Sequence, residues 1–309
     1  TGTRQLADLA GPYPEPKAKD LTLFRNRVWF TGHAPGSGER RLWSTDGTVV
    51  GTRVEAQSNG LKAPAGLTAA EPNLFFAAVA GSPIAGLWAT SGPTSIPRRL
   101  GQVVPNPRVP WGVLGSRIVF PTFDLELWVS DGTTAGTTRL LSPLEWYPTG
   151  LRTWNNRIYF GATVAAGTGT GLWMTDGTAN GTRRVRAMPA GSYERQPNGF
   201  AELGHRLYFL VTESNGRERR LWSTDGTTNG TVAFAHPTLS AHELHRPTAG
   251  GVLLLSAKDG PNGIELWRTD GSVTGTRLIR DLDPPTNGDS EPDQALVIGP
   301  LTLFVADNG

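Results

Sequence analysis

Five aspartates stand before glycine in one setting: Asp46, Asp131, Asp176, Asp225 and Asp270, each followed by Gly-Thr or Gly-Ser. An Asp-Gly pair is first of all turn chemistry, because the carboxylate can accept backbone N–H groups and glycine takes a positive φ at little cost. The alternative makes these acids calcium ligands or catalytic acids. A sixth copy, Thr90-Ser91-Gly92-Pro93, has no acid, which favours the structural role. A second set is aromatic: Trp111, Trp146, Tyr147 and Tyr193, with Arg195. Such rings can stack on the C–H faces of a sugar while arginine and carboxylates bond its hydroxyls, although Trp111 also reads as plain core. A third set is His242 and His245 with Glu243 between them. Two imidazoles in one loop can bind a metal, but the spacing supplies no third ligand and there is no H-E-x-x-H helix, so solvated loop histidines are expected. The acidic run Asp281, Asp283, Asp289, Glu291 and Asp293 departs from the EF-hand pattern. No metal and no cofactor are expected.

Enzyme chemistry has little to stand on. There is no nucleophile elbow, no P-loop and no cysteine. A sialidase-like hydrolase would need clustered arginines with a tyrosine nucleophile, for which Tyr147 or Tyr193 is available, but no spacing brings them together. A metal-dependent lactonase would need converging carboxylates, and the first segments of the repeats are mostly apolar or neutral.

The elements that must position these residues come from a repeat. The phrase Leu-Trp-x-Thr-Asp-Gly-Thr-x-x-Gly-Thr runs over Leu42 to Thr52, Leu127 to Thr137, Leu172 to Thr182, Leu221 to Thr231 and Leu266 to Thr276, with a degraded copy at Leu87 to Ile96. The leucines are 45, 40, 45, 49 and 45 residues apart. Each unit holds a short apolar segment, a turn, and a strand such as Arg206 to Val211; a polar loop, the Leu-Trp strand, the Asp-Gly turn and a fourth strand follow. No helical period of useful length occurs. Four short antiparallel strands in about 45 residues are the dimension of a propeller blade. The fold class is therefore all-β, a β-propeller of four-stranded antiparallel blades; a β-helix is the rival. The units span about 16–55, 61–100, 106–140, 146–185, 196–234 and 240–279 of one domain, 1–309. A seventh joins 290–309 to 1–12, with strand 1–6 closing it; six blades are the alternative. That seventh unit lacks a Leu-Trp strand, so it is short, or the chain is cut from a longer one.

The repeated phrase resembles the Asp-box turn of bacterial sialidases and related propellers, where it joins third and fourth strands and is structural. It is also similar to bacterial secreted or surface proteins built of tandem E-L-W-x-[ST]-D-G-T-x-x-G-T repeats, of the myxobacterial type. Glu126-Leu-Trp128 and Glu265-Leu-Trp267 keep the leading glutamate, whereas Arg41, Gly86, Gly171 and Arg220 depart from it. The resemblance covers nearly the whole chain and implies fold and an extracellular or cell-surface location more than an activity.

Composition agrees. Glycine (39) and proline (24) fill many turns, and cysteine is absent, so no disulfide or thiolate metal site can form. A net charge of +2 is too small for electrostatic nucleic-acid binding. No apolar run of membrane-spanning length occurs. The repeated tryptophans are expected to pack between neighbouring blades and the second glycine to reset the backbone before the fourth strand. Function is sought where copies differ: the loops joining second to third strand, such as Thr122 to Glu126, and the blade-to-blade connections, all opposite the Asp-Gly-Thr turns. The expectation is a monomeric, non-catalytic recognition module for a carbohydrate or cell-envelope ligand; the alternatives are a protein–protein scaffold and a sialidase-like glycoside hydrolase.

Overall fold

A computed structural model describes residues 3, 5–7, 9, 18–34, 38–55, 60–80, 85–165, 169–189, 196–212, 218–236, 238–245, 251–259, 263–282, 288–298 and 301–307. Among these it contains six four-stranded antiparallel sheets, each joined in sequence order as a propeller blade is. The first blade joins Ala18–Phe24, Arg27–His33, Arg40–Thr45 and Arg53–Val54. The second joins Leu61–Ala70, Asn73–Ala80, Ala85–Thr90 and Arg98–Arg99, and the third Gly112–Leu114, Arg117–Pro121, Leu127–Ser130 and Thr138–Leu141. The fourth joins Thr149–Trp154, Arg157–Val164, Gly169–Thr175 and Arg183–Ala187; the fifth Asn198–Leu203, Arg206–Thr212, Arg219–Thr224 and Val232–Ala233. The sixth joins Ser240–Leu244, Leu253–Lys258, Glu265–Thr269 and Arg277–Arg280. Asp293–Ile298 and Leu301–Val305 pair as a two-stranded sheet. Of the segment 1–6 expected to extend it, the described residues Thr3, Gln5 and Leu6 lie in no strand.

Two compact units divide the chain: Thr1–Tyr147 with Asn155–Ile158 and Thr175–Thr182, and Pro148–Trp154, Tyr159–Met174 and Arg183–Gly309. In each, blades pack face to face through their inner strands. The strand Asn73–Ala80 is buried on both faces over Asn73 to Ala78, which is why it reads as a continuous apolar run and not as an alternation. The repeated tryptophans sit in these layers. Trp88 packs against a cluster that joins Phe24 and Trp29 of the blade before it to Leu74 and Phe76 of its own, and Trp222 shares a cluster with Trp154, Tyr159 and Met174. The outermost strands are short, and in five of the six blades they carry arginine: Arg53, Arg98, Arg99, Arg139, Arg183 and Arg277. Short, charged edges discourage edge-to-edge pairing with other chains.

The third-to-fourth-strand turn is a hydroxyl and carboxylate lattice. In the third blade, Asp131 Oδ1 accepts the Thr133 N–H and the Thr133 hydroxyl, both at 2.8 Å. The Thr133 Oγ1 accepts the Gly136 N–H at 2.9 Å, and its carbonyl accepts the Thr137 hydroxyl at 2.6 Å. Ser130 Oγ lies 2.8 Å from Thr137 Oγ1 and accepts the Gly132 N–H. The same bonds recur around Asp46, Asp176, Asp225 and Asp270. The first glycine takes positive φ, +90° at Gly132. The second is glycine for room: a Cβ at Gly136 would overlap the Asp131 carboxyl. The turns of the third to sixth blades also receive a polar side chain from the preceding blade. Arg98 Nε donates to the Gly132 carbonyl at 2.8 Å. Arg117 donates to the carbonyls of Asp176 and Gly177 at 2.9 and 3.2 Å. The Tyr159 and Tyr208 hydroxyls reach Gly226 and Gly271 so closely that a Cβ there would lie 2.7 and 2.6 Å from them.

Gly136→Ala is therefore expected to destabilise the protein by about 1–3 kcal/mol through overpacking against Asp131. Urea unfolding checks it, with Gly115→Ala, where no atom lies within 4 Å of the new Cβ, isolating the cost of a positive φ alone.

Candidate functional site

The five turn aspartates serve as acceptors inside their own turns. The Thr48 hydroxyl, then the Thr48 amide, hold Asp46 below the ordinary aspartate value of 3.8. The hydroxyls of Thr133, Thr178, Thr227 and Ser272 lead the same shift at Asp131, Asp176, Asp225 and Asp270. In the degraded copy, Ser91 Oγ meets Ser95 Oγ at 2.5 Å and the Thr90 hydroxyl bonds the Gly92 carbonyl, so hydroxyls replace the missing carboxylate.

The aromatic set is dispersed. Trp111 is half-buried: its ring lies 5.5 Å from that of Phe120 and its Nε1 donates to the Asn106 carbonyl at 3.1 Å. It belongs to the core between the second and third blades. Trp146 is 50% exposed and Tyr147 is half-buried. Tyr193 and Arg195 lie outside the described residues.

The loop Thr122 to Glu126, beside Trp146, is where divergent chemistry gathers. The Leu144 N–H donates to the Leu125 carbonyl at 2.9 Å, so the segment leading to Trp146 runs along this loop. Phe123 at its tip is 46% exposed. The loop is tightly determined: the Thr122 N–H donates to the Glu126 carbonyl at 2.9 Å, the Phe123 N–H to Val104, and the Leu125 N–H to Thr122. Leu125 is held at φ +57°, a left-handed conformation unfavourable for a branched side chain. Beneath the loop opens a groove of about 410 Å³ that is lined in part by Gln102, Asp124, Glu126 and Trp128 and extends to Thr134 and Thr137 of the third blade's own Asp-Gly-Thr turn. Glu126 Oε2 accepts the Trp128 indole N–H at 2.8 Å, while Oε1 accepts from Arg139 at 2.8 Å and from Ser142 at 3.2 Å. Burial pushes the Glu126 carboxyl up, but the hydrogen bonds from Arg139 and Trp128 outweigh it, so it titrates below 4.5. Of this groove, the sequence points to the Thr122 to Glu126 loop and the leading glutamate; Gln102 and Trp128 carry no sequence signal of a ligand-facing role.

The histidines are not solvated loop residues. His242 lies in the strand Ser240–Leu244 with its Nε2 enclosed and without a hydrogen-bond partner. His245 is 5% exposed, and its Nε2 lies 2.9 Å from Ser256 Oγ. A serine beside a histidine invites a nucleophile reading, but the Ser256 hydroxyl donates to the Pro292 carbonyl and the residue is 3% exposed. The imidazole must then donate to Ser256, the reverse of what a general base does. The pair is a buried strut. Above it a cavity of about 240 Å³ is lined by His242, Glu243, Glu291 and Asp293. Desolvation, then the charge of Asp293 and a hydrogen bond with it, raises Glu243 above 4.5. Asp289 is engaged with the Ile264 N–H at 2.8 Å, and Asp283 lies outside the described residues. No group of three His, Cys, Asp or Glu fit to hold a metal occurs among the described residues. No helix among them is long and apolar enough to cross a membrane.

No protein-family model matches the chain, and no curated protein matches it. Among solved structures it is similar to a puromycin hydrolase, at 15% identity and TM-score 0.45, covering 73% of this chain and 40% of that one. It is similar to an oligogalacturonate lyase in complex with manganese, at 13% identity and TM-score 0.47, over 84% of this chain and 75% of that one. It is also similar to the β-propeller domain of the Trilobed protease from Pyrococcus furiosus, at 13% identity and TM-score 0.46, over 87% of this chain and 86% of that one. The chain thus spans about 40% of the length of the hydrolase.

Two acid-sensitive windows follow. Burial holds His245 and His242 below 6.5, so as pH falls through that value the unfolded chain binds protons that the folded one refuses, and stability drops. The turn aspartates, lowered from 3.8, stabilise fully above that pH and lose their contribution as pH falls below it. Melting temperature followed against pH is expected to decline in both windows, the upper one disappearing in His242→Gln/His245→Gln if that variant folds. NMR titration of the aspartate carboxyls checks the lower one directly.

Proposed function

We propose that this chain is a non-catalytic recognition module that takes a carbohydrate or cell-envelope ligand on the loops opposite its Asp-Gly-Thr turns. One observation carries the reading. Two large aromatic side chains, Phe123 and Trp146, are held half-exposed on neighbouring, hydrogen-bonded segments of divergent loop. Exposed rings on determined loops offer flat apolar area at low entropic cost, which is what stacking on a sugar face needs. The turn aspartates and the Ser256–His245 pair are occupied within the protein, which supports a binding role over hydrolysis at those residues. The repeat resemblance supports a secreted or surface-exposed bacterial protein. In the same reading the array has seven blades.

A glycan-array screen of the purified chain, with calcium and with chelator, tests this. Reproducible calcium-independent hits are expected, and Trp146→Ala is expected to weaken them at least about tenfold, or ~1.4 kcal/mol. A blank array with capture of a protein partner would replace the reading by a scaffold; released product would replace it by a hydrolase.

A further inference from the structure

We propose that the groove beneath the Thr122 to Glu126 loop is a saccharide-binding site, with Trp128 as its stacking surface and Asp124 and Gln102 as hydroxyl partners. The proposal deepens the recognition reading and rests on it. Its volume, about 410 Å³, falls within the range of small-molecule sites, roughly 300–1,000 Å³.

The lining selects the ligand class. Leu100, Val103, Val104 and Trp128 give apolar surface, and Thr122, Asp124 and Gln102 add hydroxyl, carboxylate and amide. A ligand with C–H faces and hydroxyl edges matches both halves. No lysine or arginine among the described residues lines the groove, which disfavours a phosphate or another anion. A simple cation is disfavoured too, because both Glu126 oxygens are engaged, one by the Trp128 indole and the other by Arg139 and Ser142. These bonds also fix the indole, so its face is set before a ligand arrives. The loop above is equally prepared: it holds Leu125 at positive φ through the surrounding hydrogen bonds, and strain so maintained is typical of ligand-clamping segments.

Position supports the assignment. The groove lies against the second blade, whose Asp-Gly turn is the degraded copy. The chain contains one other Glu-Leu-Trp unit, Glu265 to Trp267. There the corresponding connector leaves its blade alike, through a Phe234 N–H bond to Leu221 that matches Leu100 to Leu87. Two residues on, His236 stands where Gln102 does, and its ring meets Trp267 edge-on at 6.2 Å and 85°. An imidazole thus covers the indole of the sixth blade, while the indole of the third fronts an open groove.

The test labels the protein with 5-fluorotryptophan and follows fluorine NMR during titration with methyl glycosides of glucose, galactose, mannose and N-acetylglucosamine, and with any array hit. Trp128→Phe and Trp146→Phe assign the two resonances. A saturable shift at Trp128 is expected, weakened at least tenfold in Asp124→Ala and in Gln102→Ala, whose exposed rim positions leave the fold intact. A glycan that moves Trp146 and leaves Trp128 unmoved would overturn the groove while sparing the recognition reading. No saturable shift at any tryptophan would overturn both.

Discussion

An aspartate oxygen that accepts two bonds from one threonine, amide and hydroxyl, is the interaction on which the blades depend. At Asp131 both are 2.8 Å. Because the threonine hydroxyl has given its proton to the carboxylate, its oxygen is free to accept the N–H of the second glycine, and a local turn becomes a closed lattice. That lattice explains two glycines for two reasons: the first needs a torsion that side chains resist, the second needs the space its neighbour's carboxyl occupies. It also leaves turn carbonyls facing outward for the preceding blade, where Arg98 and Arg117 take them. One motif thus shapes its own blade and latches it to the one before.

Rigid turns at one end leave the other end free to vary. In an antiparallel meander the second-to-third-strand loops and the connections between blades emerge opposite the Asp-Gly-Thr turns, so their residues are released from the repeat's packing demands. The third blade uses that freedom most visibly. Its loop projects Phe123, holds Leu125 in a left-handed conformation, and roofs a groove in which a carboxylate orients an indole. The turns repeat while the loops diverge, and the Leu-Trp strand of the third blade meets both, with Trp128 packed against the core on one side and fronting the groove on the other.

What could be read from the sequence follows the range of the interactions. The turns were legible because every bond in them links residues at most seven apart. The groove was not legible: it depends on which connector faces Trp128, and Gln102 belongs to the preceding blade. His245 looked like a loop residue because its partner Ser256 lies across the sheet and the carbonyl that completes the strut, Pro292, comes 36 residues after that serine. Trp111 was ambiguous for a different reason, since a large ring suits a core and a ligand face equally; only its contact with Phe120 decides.

Amide hydrogen exchange, with and without calcium, tests the central claim that these turns are self-contained latches. The amides of Thr48, Thr133, Thr178, Thr227 and Ser272 are expected to exchange slowly despite their exposed positions, at rates that calcium leaves unchanged. Fast exchange at these amides, or protection that develops only when calcium is added, would contradict it and return the aspartates to the role of metal ligands.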